Sequence, residues 1–136
     1  MVINKLILAL RSFLFTFILF FSLNAKAEWI NTASNTYGDV YYYEPYSVYK
    51  TEGYVIAWEL VDYTKQSLVP DKPIYSVKNL LQVDCYSLKH RFLVSIYFSE
   101  TGARGYVVMT DDSVSQWTAN YSGSVGYTQA STLCRN

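Results

Sequence analysis

The chain has 136 residues, 51% apolar, 18% aromatic and 16% charged, with no formal net charge, a length that suits one domain. The charge is unevenly spread: residues 1–27 hold three cations (Lys5, Arg11 and Lys26) and no acid, which leaves the remainder near −3. A mildly acidic body excludes a protein that tracks nucleic-acid phosphates, which needs a basic stripe, and equally a polybasic membrane-surface module.

Residues 1–27 read as a secretory signal peptide. Lys5 supplies the charged start, Phe13, Leu14, Phe15, Phe17, Ile18, Leu19, Phe20 and Phe21 form the apolar segment, and Ala25-Lys26-Ala27 is an A-x-A cleavage site. The mature chain then starts at Glu28. The unbroken apolar run over residues 12–23 is short for a membrane span, which needs about 20 residues. No cysteine stands near the cleavage site, so the leader has no lipobox. Nothing after residue 28 is long and apolar enough to cross a bilayer. The expected product is an exported protein, in the periplasm or at the cell surface, with residues 28–136 forming a single domain.

The mature part is rich in Tyr, Val, Ser and Thr, which suits strands and turns. Residues 28–31 predict a short first strand and residues 39–43 a second, ended by Glu44-Pro45 because proline cannot donate to a ladder. Thr51-Glu52-Gly53 signals a turn. Over residues 54–61, Tyr54, Ile56, Trp58 and Leu60 alternate onto one face, while Val55, Ala57 and Val61 share the other with Glu59. Apolar residues on both faces predict a central strand. Residues 62–74 carry loop chemistry. A strand follows over residues 75–86, with Val77, Leu81, Val83 and Cys85 on one parity. Residues 91–109 read as a hairpin turning at 99–102, with Phe92, Val94, Ile96 and Phe98 on one face. Trp117 begins a last short strand reaching Tyr121.

The period then changes. Ser124 can cap a helix, and Gly126, Ala130, Leu133 and Cys134 fall on one helical stripe. Two cysteines in an exported chain, Cys85 and Cys134, read as a disulfide, worth roughly 4 kcal/mol in the chain-entropy model. The alternative, a redox or metal pair, lacks the C-x-x-C spacing, and one histidine cannot complete a zinc site. The predicted fold is therefore α+β: an antiparallel β-sheet of about six strands, with a short C-terminal helix packed on one face and tethered by Cys85–Cys134.

Catalytic patterns are weak. His90, the single histidine, stands between Lys89 and Arg91, neighbours that disfavour its protonation, and no orienting partner is evident beside it. It is expected at a solvated turn or strand edge. The serines lie in no G-x-S-x-G. Gly102-Ala103-Arg104-Gly105 lacks the Lys-Ser/Thr of a phosphate loop, and Asp111-Asp112 suits a solvated turn. No catalytic, cofactor or metal residue is assigned. The unusual feature is tyrosine: Tyr41, Tyr42, Tyr43, Tyr46 and Tyr49 crowd within nine positions. Strand propensity explains the crowding most simply. A partner-binding surface would use the same residues, because tyrosine offers contact area at low entropic cost. Tyr41, Tyr43, Tyr46 and Lys89 are the candidates for it.

The ordered set of features resembles the surface-adhesin protein E family of Gram-negative bacteria. It comprises Trp29, the strand Asp39-Val40-Tyr41-Tyr42-Tyr43, Val55-Ile56-Ala57-Trp58-Glu59-Leu60 with Asp62-Tyr63, Val83-Asp84-Cys85, Arg91, Tyr97, Gly102, Trp117, Ser124 and Cys134-Arg135. The resemblance implies an antiparallel sheet with a disulfide-tethered C-terminal helix, and a non-enzymatic binding protein that contacts host matrix proteins such as vitronectin and laminin, or envelope proteins. No adhesion residue is carried over from it. A soluble periplasmic inhibitor or envelope-assembly factor is the alternative. A protein partner is expected under either, with a homodimer left open.

Overall fold

The computed structural model describes residues 27–65 and 71–135, together with Ile3, Asn4 and Ile7. The expected signal peptide thus lies almost wholly outside the described residues. The strands are β1 (Ile30–Ser34), β2 (Val40–Tyr43), β3 (Tyr49–Lys50), β4 (Tyr54–Asp62), β5 (Ser76–Asp84), β6 (Lys89–Glu100) and β7 (Arg104–Asp111), and one helix, α1 (Val125–Arg135), follows them. They form one seven-stranded sheet in the order β1-β2-β4-β5-β6-β7, with the two-residue β3 also pairing β4, and every pairing is antiparallel.

β4 is the strand buried on both faces, as its two apolar parities require: Val55, Ala57, Leu60 and Val61 are all buried. β2 ends where Pro45 opens a 3-10 turn (Pro45–Ser47), whose first free amide, Tyr46 N, donates to the Glu44 side chain at 3.0 Å. Gly53 turns the chain into β4 with φ at 84°, and a Cβ there would stand 2.6 Å from the Tyr86 ring, so this turn requires glycine.

Three expectations change in detail. The sheet gains β3. Residues 117–121 form no strand but a single bridge, in which Thr118 and His90 exchange backbone hydrogen bonds of 2.7 and 3.0 Å. The third change is in β6. Leu80 pairs Val94 while Leu81 pairs Phe92, so Leu93 is an extra residue, a β-bulge. Phe92 therefore joins the face under the helix, and Val94 and Ile96 go to the opposite face, where strict alternation had placed all of them together.

The helix starts where Ser124 Oγ accepts from Tyr127 N at 3.1 Å. Its stripe presses Ala130 and Leu133 onto Tyr43, Val55, Ala57, Leu81 and Val83, with Val48, Leu88 and Phe92 around them. The Cys85–Cys134 disulfide closes this core, with the Cα atoms 5.6 Å apart. Among the described residues no helix is long and apolar enough to cross a membrane.

Candidate functional site

The sheet face under α1 is laid down in rungs set by register. The rungs Val55–Val83 and Ala57–Leu81–Phe92 are apolar and receive the C-terminal half of the helix. The next rung is Tyr43–Glu59–Asn79–Ser95, and beyond it lies Tyr41–Val61–Val77–Tyr97. The N-terminal half of the helix, Val125, Gly126 and Gln129, overlooks these two rungs and does not fill the space above them. A cavity of about 520 Å³ results, within the range of small-molecule sites. Tyr63 and residues 119–121 close its sides.

Its floor is a buried hydrogen-bonded chain. Ser95 Oγ donates to Asn79 Oδ1 at 2.7 Å, and Asn79 Nδ2 donates to Glu59 Oε2 at 2.6 Å. Glu59 is 5% exposed, and burial pushes its carboxyl up to about 7, against the opposing pull of the Asn79 and Gln129 amides. Gln129 is 2% exposed. Its amide faces Glu59, yet no hydrogen bond of ordinary geometry reaches Nε2, the buried side-chain polar atom without a partner among the described residues. Burial likewise pushes the Tyr63 phenol up to about 12, helped by neighbouring Tyr97, Tyr41 and Glu59.

His90 lines the same cavity, half-buried rather than solvated. Its Nδ1 lies 2.8 Å from Asn120 Oδ1, and Asn120 Nδ2 donates to Leu88 O at 2.5 Å. Its pKa is lowered, but by burial, against the Asn120 hydrogen bond. Strand alternation sends Lys89 and Arg91 to the opposite face, which is why the neighbouring cations contribute so little. Among the described residues no group of three or more His, Cys, Asp and Glu is placed to hold a metal ion.

The four tyrosine and lysine candidates are dispersed. Tyr43 is 8% exposed and belongs to the core, so it offers a partner almost no surface. Tyr41 is half-buried on the cavity wall. Tyr46 is 85% exposed on the 3-10 turn, and Lys89 is exposed at the start of β6.

A second aromatic cluster has a clearer shape. At the end of the sheet where β3 turns into β4 and β5 into β6, Tyr49, Tyr54, Tyr86 and Trp117 are all exposed. Tyr54 and Trp117 have ring centroids 6.0 Å apart. The Arg91 guanidinium lies 4.5 Å over the Trp117 ring while its Nε donates to Gln82 Oε1 at 2.7 Å. Lys89 pairs Asp84 beside Tyr86 in the same turn. Farther along the face away from the helix, Lys78 sits 4.5 Å over Trp58 and 5.9 Å over Trp29.

Sequence reasoning missed the polar floor and the Trp117 cluster. Glu59 interrupting an apolar parity was a visible signal, and Gln129, three positions after Gly126 on the helical stripe, was another.

The family model described as surface-adhesin protein E matches residues 29–135. No curated protein sequence matches the chain. Among solved structures, Haemophilus influenzae protein E in its crystal form II superposes with a TM-score of 0.63 at 15% identity, covering 82% of this chain and 91% of that one. The selenomethionine form of H. influenzae protein E gives 0.61 at 14% identity, covering 83% and 90%. Protein E from non-typeable H. influenzae gives 0.59 at 15% identity, covering 84% and 80%. At such identities these likenesses concern the fold.

Proposed function

We propose that this chain, which belongs to the surface-adhesin protein E family, is an exported, non-enzymatic binding protein that contacts host matrix or envelope proteins through the aromatic end of its sheet. The observation that carries this is the exposed set Tyr49, Tyr54, Tyr86 and Trp117, with Arg91 stacked on it and Lys89 beside it. Exposed tyrosine and tryptophan beside a half-buried arginine are residue types that dominate protein interfaces. The sheet and the disulfide hold the patch rigid, which lowers the entropic cost of association. Tyr46 and Lys89 remain candidates at its margin; Tyr43, being core, does not.

The test is binding of the oxidised protein to immobilised vitronectin and laminin. Replacing both Tyr49 and Tyr86 by alanine is expected to weaken binding by about tenfold or more, with an unchanged melting midpoint because both side chains are exposed. Unchanged binding would remove the patch from consideration. Protease accessibility on intact cells supports display at the surface. Release by osmotic shock favours the alternative, a soluble periplasmic inhibitor or envelope-assembly factor.

A further inference from the structure

We infer that the cavity between α1 and the sheet is a binding site for a small, uncharged, hydroxylated ligand, a neutral saccharide unit. This is independent of the partner surface: no residue of the exposed aromatic end lines the cavity, so either proposal can fail without the other.

The first observation is the unpartnered Gln129 Nε2, on a side chain 98% buried and facing the cavity beside the Glu59 carboxyl. The Glu59 carboxyl draws on this donor without a hydrogen bond of ordinary geometry, so a buried polar group is left poorly satisfied, which is costly and leaves it open to a ligand group. Gln129 offers a donor and Glu59 an acceptor side by side. A hydroxyl group accepts from the first and donates to the second at once. Water would do the same, but the cavity of about 520 Å³ also has room for a ligand of sugar size.

Charge narrows the ligand further. Among the described residues no Lys or Arg lines the cavity, and burial lowers the pKa of the one basic group on its wall, His90, so the site is poorly suited to an anion at neutral pH. Burial disfavours the charged form of the Glu59 carboxyl, which makes it a weak counter-ion for a cation below neutral pH. The walls are ring-bearing: Tyr41, Tyr63 and Tyr97 present aromatic surface on which the C–H face of a sugar ring packs. Glu59 is the single carboxylate among the lining residues, whereas glycosidic cleavage ordinarily employs two. The arrangement therefore suits holding a sugar and not hydrolysing it.

The test is saturation-transfer NMR on the exported, disulfide-bonded protein with glucose, galactose and N-acetylglucosamine as neutral probes and choline as a cationic control. Transfer to at least one neutral sugar and none to choline is expected. Gln129→Leu removes the poorly satisfied donor and is expected to abolish transfer while the protein stays folded with its native circular-dichroism spectrum, a combination that a purely structural glutamine would not give. Tyr63→Leu provides a second variant and is expected to weaken binding by about tenfold. Absence of transfer from every neutral sugar, transfer to choline alone, or undiminished transfer in folded Gln129→Leu would each overturn the assignment.

Discussion

Glu59 shows how one side chain couples stability to pH. Its carboxyl titrates near 4.5 when the chain is unfolded and near 7 in the native cavity, because burial penalises the charge. Between these values the folded state holds a proton that the unfolded state has released, so stability falls as pH rises through that window and levels off above about 7. The full difference amounts to about 3 kcal/mol, a large share of a small domain's net stability. Glu59→Gln keeps an acceptor for Asn79 and removes the charge. It is expected to flatten the pH dependence between about pH 5 and pH 7, and to gain roughly 1–3 kcal/mol at pH 8 in urea denaturation. An unchanged pH profile would mean that Glu59 is not the titrating group. The sequence exposed Glu59 as a polar interruption but not its partners. Asn79 and Ser95 lie on the strands next across the sheet, and only strand register brings them together.

At the scale of elements, local pattern carried most of the architecture. Alternation located β4 and β5, the hairpin turn at 99–102 located β6 and β7, and the change of period after Ser124 located α1 together with its buried stripe. The bulge at Leu93 was illegible, because an extra residue in a ladder is defined by the partner strand and not by its own neighbours. The strand expected at residues 117–121 had an aromatic start, yet Trp117 turns outwards to stack with Tyr54 and Arg91, and one bridge is all that forms. The helix has 11 residues, too few to persist alone in water, so it depends on docking and on Cys134. Breaking the Cys85–Cys134 link by replacing both with serine is expected to cost about 4 kcal/mol, given its separation of 49 residues. A urea midpoint unaffected by reductant would contradict this.

On the scale of the whole molecule, the helix covers only part of one sheet face. Its C-terminal half seals an apolar core, its N-terminal half leaves a cavity with a polar floor, and an aromatic surface stays open at the end of the sheet. The fold was legible because periodicity survives in each segment, and a likeness to protein E at 15% identity agrees that pattern outlasts individual residues. The cavity was not, since it lies between the helix and residues of four strands that only register brings together, which no single segment encodes.

α1 packs against β1 at the edge of the sheet, so the first and last elements of the described fold are neighbours in space. That adjacency makes the domain a natural closed circuit. A circular permutant that joins residue 135 to residue 28 through a short flexible linker, and opens at the exposed segment around Asp112, should retain the native circular-dichroism spectrum and cooperative melting. Where the backbone is severed would then be a free choice for an engineer, and new ends could be moved away from the cavity and the aromatic end alike.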